Sequence, residues 1–194
     1  MRPRKIIITL AALAGLSAYF LVGNEAKFPA PAELESGDII FRKENSFWGD
    51  LSSAAARVNG KYSHAGIIYM DKGHPYVIHA YADTNKHEAK VSRQSLEDFS
   101  ANATAVGFYR LNFTPEIRAE VAKRANDYYV NKTPFDDQFS ITDDKAVYCT
   151  ELVWRAAKLG SGYDIAPTKS TLMNRQYIGT DDLFLGGFMT ELKK

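Results

Sequence analysis

From Ser36 onward, short apolar runs alternate with turn-forming residues, and each run shows its own period. SGDIIF, residues 36–41, reads as a strand after a Ser-Gly turn, and SFWGDLSSAAARV, 46–58, has helical spacing with Ser46 as its N-cap. SHAGIIYM (63–70) and PYVIHAYA (75–82) are β-rich runs joined by Asp71-Lys72-Gly73-His74, which predicts a hairpin. EAKVSR (88–93) adds a short strand, SLEDF a helical turn capped by Ser95, and TAVGFYRL (104–111) another strand. Thr114-Pro115 opens a helix that runs to about Asn131, with Thr as N-cap and Pro at the first helical position. A polar loop with Asp136, Asp137, Asp143 and Asp144 leads to YCTELVWRAAKLG, in which Leu152, Val153, Ala156 and Leu159 predict one apolar helix face and Gly160 the stop. Residues 161–194 hold only fragments of strand and helix pattern.

The N-terminus has a different character. Residues 6–23, IIITLAALAGLSAYFLVG, form an uncharged run of 18 behind Arg2, Arg4 and Lys5. That length reaches the lower range of a membrane-spanning helix, and the exit sequence offers no small-x-small cleavage pair. Residues 1–23 are therefore expected to be an uncleaved signal-anchor rather than a cleaved signal segment. No cysteine follows the run, which excludes lipoprotein attachment. Positive charge before it predicts a cytoplasmic N-terminus and a periplasmic domain on the inner membrane, or one free in the periplasm if the segment is cleaved. Residues 24–35, with Pro29 and Pro31, read as a short stiff linker, and the domain as 36–194.

Composition narrows the chemistry. Twenty-four Lys+Arg balance 23 Asp+Glu with no basic block, which argues against nucleic acid as a partner. With 45% hydrophobic and 12% aromatic residues the chain has the material for a core. A single cysteine excludes a disulfide framework and a multi-cysteine zinc site, and no dinucleotide or phosphate-loop motif calls for a cofactor.

That cysteine, Cys149, falls at the start of the YCTEL helix, where unpaired N–H groups and the helix dipole are expected to lower a thiol toward the thiolate. A lone cysteine is otherwise a small buried apolar residue, but a free thiol in an exported protein suggests use. A nucleophilic thiol needs a base and a group to orient the base. His74 in the hairpin turn and His87 in a polar loop are expected to be solvated. His64 and His79 lie inside adjacent strands. A Lys72-Gly73 turn sets His79 opposite Gly66 and diagonal to His64, whereas an Asp71-Lys72 turn sets the two histidines opposite each other; both registers put them on one face. Two histidines and a cysteine also offer an open zinc site, which ranks lower because no His-x-x-x-His or Cys-x-x-Cys spacing anchors it. The four aspartates lack the alternation of a calcium loop and are expected to cap the Cys149 helix or stay solvated.

GDIIF (37–41), YSHAGIIY (62–69), VIHA (77–80), TPFDDQF (133–139) and YCTELVW (148–154), in that order, resemble the YiiX/YaeF/YebB-like family. This is the circularly permuted papain-like branch of the NlpC-type cysteine hydrolases, related to the lecithin:retinol acyltransferase-like proteins. The resemblance implies an α+β permuted papain-like fold, an antiparallel sheet packed against helices, with the histidine ahead of the cysteine in the chain. It assigns Cys149 as nucleophile, His64 as base and His79 as the third, polar residue. Many relatives carry Glu where this chain has His79, and a neutral imidazole favours a thiolate–imidazolium pair less than a carboxylate does.

The expected function is an extracytoplasmic cysteine amidase or peptidase without cofactor or metal, acting on amide substrates such as peptidoglycan peptides. The alternatives are a thioester-forming acyltransferase or lipid hydrolase, with Phe47 and Trp48 as candidate acyl-site residues, or a non-catalytic binding module.

Overall fold

The computed structural model describes residue 30 and residues 33–44, 60–83, 88–172 and 174–193. Within them the apolar runs become strands β1 (Ile39–Glu44), β2 (His64–Asp71), β3 (His74–Asp83), β4 (Glu88–Ser95) and β5 (Ala103–Leu111). The tail supplies β6 (Ser170–Leu172), β7 (Arg175–Tyr177) and β8 (Met189–Glu191). The helices are α1 (Leu96–Ser100), α2 (Pro115–Val130), α3 (Cys149–Ser161) and α4 (Thr180–Phe184). One antiparallel sheet runs in the order β4-β3-β2-β1-β5-β8, and β6 and β7 pair separately.

The β2–β3 turn resolves the register left open by the sequence. Asp71 pairs with His74, so the loop is Lys72-Gly73, both at positive φ (51° and 82°), the geometry that matches the twist of a tight hairpin. Ile39, Phe41, Ala65, Ile67, Ile78 and Ala80 point to one face and join residues of α2 and α3 in the main core. Ile40, Ile68, Val77 and Phe108 point to the other, where Leu96 and Phe99 of α1 cover them.

Caps on the described helices follow the sequence at two starts. The Ser95 hydroxyl accepts from Asp98 N–H at 3.0 Å and the Thr114 hydroxyl from Ile117 N–H at 3.5 Å. Two expectations for α3 are corrected. Gly160 does not stop the helix: a Cβ there would lie 2.7 Å from the Val121 backbone nitrogen, so its bareness lets α3 approach α2. The stop is Gly162, left-handed at φ 80°, whose N–H bonds the Lys158 carbonyl at 2.9 Å. Because this close approach sets the helix face, Leu152, Val153, Ala156 and Ala157 are buried while Leu159 is 59% exposed.

Of the two outcomes expected for the aspartates, Asp137, Asp143 and Asp144 stay solvated. Asp136 accepts from Gln138 and Ser140 N–H (2.8 and 2.7 Å) and Asp143 from Lys145 N–H (3.1 Å), each tightening its own loop. The expected 46–58 helix with Phe47 and Trp48, His87 and the apolar run 6–23 lie outside the described residues. Among the described residues no helix is long and apolar enough to cross a membrane.

Candidate active site

Cys149 is the first residue of α3, preceded by Tyr148 in extended conformation. Its neighbours clasp the helix start onto one residue of the tail. The Tyr148 hydroxyl accepts from Ile178 N–H at 2.7 Å, and the Thr150 hydroxyl donates to the Ile178 carbonyl at 2.6 Å. Glu151, fully buried one turn in, accepts from Tyr148 N–H at 3.3 Å and from Arg155 Nε at 2.7 Å. Burial lifts the Glu151 carboxyl to about 7 against the pull of Arg155. Arg155 in turn donates to the carbonyls of Ile141 and Asp143, tying the aspartate loop to the helix.

The thiol rests on β2. The N–H groups of Ala65 and Thr150 face the sulfur. These donors favour the thiolate, yet burial outweighs them, and Glu44 adds repulsion, so the Cys149 thiol titrates above its ordinary value. The lowered thiol expected from the helix N-terminus is thereby overturned: a helix end acts locally, whereas desolvation comes from the whole surrounding fold.

His64 immediately precedes Ala65, and its Nε2 lies 2.8 Å from Nδ1 of His79. Gly66 makes the diagonal contact possible, since a Cβ there would stand 2.4 Å from Val77 Cγ1 and 3.4 Å from His79 Cβ. The two imidazoles meet edge to face, with Phe99 5.6 and 5.1 Å and Tyr81 5.9 and 5.7 Å from their centroids. Arg42, directly across β1 from His64, lays its guanidinium 4.2 Å over the Phe99 ring, donates to the Phe99 carbonyl and pairs with Glu44. Desolvation first, then Arg42, holds both histidines below the ordinary value, His79 at about 3; the His79 charge also bears on His64. This enclosed, cation-flanked site keeps the imidazoles neutral. His74, as expected, is exposed at the hairpin turn.

An antiparallel sheet packed against helices thus carries a buried histidine pair on adjacent strands and a thiol at a helix start. The description of the permuted papain-like amidase enzymes, YaeF/YiiX, C92 family, matches residues 33–181. The chain belongs to this family. It is thus a cysteine amidase/peptidase-type hydrolase by family. Comparison with curated proteins gave no match. Among solved structures, the crystal structure of the metalloprotein YiiX from Escherichia coli O157:H7 is similar in fold, with a TM-score of 0.69 and 22% identity over 82% of this chain and 97% of that one.

Between the two imidazoles this site does not bracket a metal ion. Its histidine nitrogens face each other at 2.8 Å, closer than the roughly 3.3 Å between two ligands on a tetrahedral zinc. Among the described residues no group of three His, Cys, Asp or Glu converges. Sequence reasoning missed Arg42 and Phe99. Arg42 looks like a solvated residue near a strand end, and only the packing of α1 over the sheet buries it.

Proposed function

We propose that the chain is a membrane-anchored amidase facing the periplasm, cleaving amide bonds of cell-wall peptides through Cys149, His64 and His79. The observation that carries the residue roles is the 2.8 Å contact between His64 and His79 beside the thiol's seat on Ala65. With Nε2 of His64 committed to His79, Nδ1 is the nitrogen left to serve the thiol. Both groups rest neutral, so the proton leaves sulfur as the attack occurs: the sulfur lone pair forms the C–S bond, the thiol proton passes to His64 Nδ1, and His64 returns it to the leaving nitrogen. Water, activated by the same ring, then releases the acyl group. The Cys149 N–H at the open end of α3 is suited to meet the carbonyl oxygen as charge develops. Residues 6–23 supply the membrane anchor and the positive residues before them its orientation.

A thioester-forming acyl transfer to or from lipids uses the same three groups. Incubating the purified full chain with muropeptides and with short-chain acyl esters separates the two by product. Cys149→Ser should fold, by circular dichroism and thermal unfolding, and lose turnover on either substrate; retained turnover would refute the mechanism.

A further inference from the structure

We infer that Phe113, Leu159, Tyr163, Leu185 and Phe188, at the end of the domain where α3 stops, form a surface that lies on the phospholipid bilayer and turns Cys149 away from it, toward a substrate outside the membrane. The inference takes the membrane anchor of the proposed function as its premise and adds the orientation of the domain on that anchor. It follows from where three loops meet and where the chain enters the domain.

The loops that follow β5, α3 and α4 converge at this end. The rings of Phe113, Tyr163 and Phe188 stand 5.7, 6.2 and 6.4 Å apart, centroid to centroid. Asn112 N–H bonds the Phe188 carbonyl at 2.8 Å, and a Cβ on Gly186 would lie 2.2 Å from the Ile165 carbonyl oxygen, so the loop that carries Leu185 is pressed against the one that carries Tyr163. Phe113 and Phe188 reach inward to the main core. Tyr163, Leu185 and Leu159 on the last turn of α3 do not: they are 58%, 54% and 59% exposed. One exposed leucine needs no explanation, but three large apolar side chains grouped at an aromatic cluster mark a contact surface. Tyrosine, with an apolar ring and a polar tip, suits the boundary between membrane and water.

The path of the chain names the occupant. Arg118, on the first turn of α2, donates to the Phe113 carbonyl and pairs with the Glu35 carboxylate. Arg110 holds the same carboxylate at 3.1 Å and donates to the Glu33 carbonyl at 2.6 Å. The segment that follows the apolar run 6–23 therefore enters the domain beside Phe113. Nine residues, 24–32, with Pro29 and Pro31 among them, separate the run from Glu33 and span at most about 30 Å when extended. A domain of this length is roughly 40 Å across, so the end that holds Glu33 is kept at the bilayer and the far end is kept off it. Cys149 is at the far end. It opens α3, 13 residues long, so the thiol stands about 20 Å from the turn that bears Leu159. His64 likewise begins β2, whereas the entering chain bonds that strand farther along, Gly37 N–H to the Ile68 carbonyl at 2.9 Å. Held in this way, the thiol is out of reach of the acyl chains below, which favours amide cleavage above the membrane over acyl transfer from bilayer lipids.

The test uses the full chain in phosphatidylethanolamine–phosphatidylglycerol vesicles, with Cys149→Ser as the background for single nitroxide labels. Accessibility of each label to oxygen and to a water-soluble nickel complex reports its depth. A label at Leu185→Cys should lie about 5–10 Å into the headgroup region, while one at Asp144→Cys, exposed in the aspartate loop, should read as fully aqueous. Tyr163→Ser with Leu159→Ser, both at exposed positions, should move the Leu185→Cys label out toward water. A label that does not move means that other residues make the contact and overturns the assignment. So does an Asp144→Cys label at the same depth as Leu185→Cys, or a Leu185→Cys label shielded from both reagents, which would show the patch covered by protein, either the run 6–23 or a second copy. Ser17→Cys, within the run, tests the premise separately. An aqueous label there removes the anchor itself, whereas a deep Ser17→Cys label beside an aqueous Leu185→Cys label removes only the docking surface.

Discussion

Arg42 sets a fixed positive charge against two imidazoles, and its partner Glu44 offsets only part of that field. Replacing the pair by Arg42→Met with Glu44→Gln should therefore raise the acid limb of the activity–pH profile toward the ordinary histidine value. An acid limb that stays in place would mean that desolvation alone holds the rings neutral. Gly66→Ala should destabilise by about 1–3 kcal/mol in denaturant titration and lower activity, because the added methyl meets Val77 and crowds His79. At this scale the candidate site was half legible. Period-two alternation puts His64 and His79 on one face in either hairpin register, while the choice of the Lys72-Gly73 turn shows only in the structure. The direction of the thiol's titration was not legible, since burial is contributed by residues far away in sequence.

Among the elements, α3 shows how local signals and tertiary packing divide the work. Thr114 and Ser95 announce helix starts because capping needs only neighbouring residues, and both were read correctly. Gly160 was misread because a glycine inside a helix and one after it look alike until the partner helix is known. Gly160→Ala should improve intrinsic helix propensity by about 1 kcal/mol. It should nonetheless lower the melting temperature, since the methyl strikes the Val121 backbone. The clasp on Ile178 makes a second test. Thr150→Val and Tyr148→Phe each remove one hydrogen bond to that residue and should cost roughly 1 kcal/mol apiece. A double-mutant cycle should show coupling, because both bonds hold the same residue.

For the molecule as a whole, the order of motifs along the chain carried the fold class, and an antiparallel sheet packed against helices is what forms. The 6–23 run and the 46–58 helix lie outside the described residues, so membrane attachment rests on sequence alone. Acid sensitivity is a global consequence of the site. Unfolded histidines take up a proton near 6.5, while folded His79 resists to about 3 and folded His64 also titrates well below 6.5. Their contribution to stability is complete above pH 6.5 and is lost as pH falls. Glu151 acts in the opposite sense between its unfolded 4.5 and about 7, but one carboxyl opposes two imidazoles. The urea midpoint should thus fall on acidification below pH 6.5, more steeply in Glu151→Gln and less in His79→Phe. The permuted order also has a consequence in time. Translation at about 5–20 residues per second delivers both histidines several seconds before the cysteine. A nascent chain therefore carries both histidines while it still lacks the thiol they are proposed to serve, and stays silent until α3 docks.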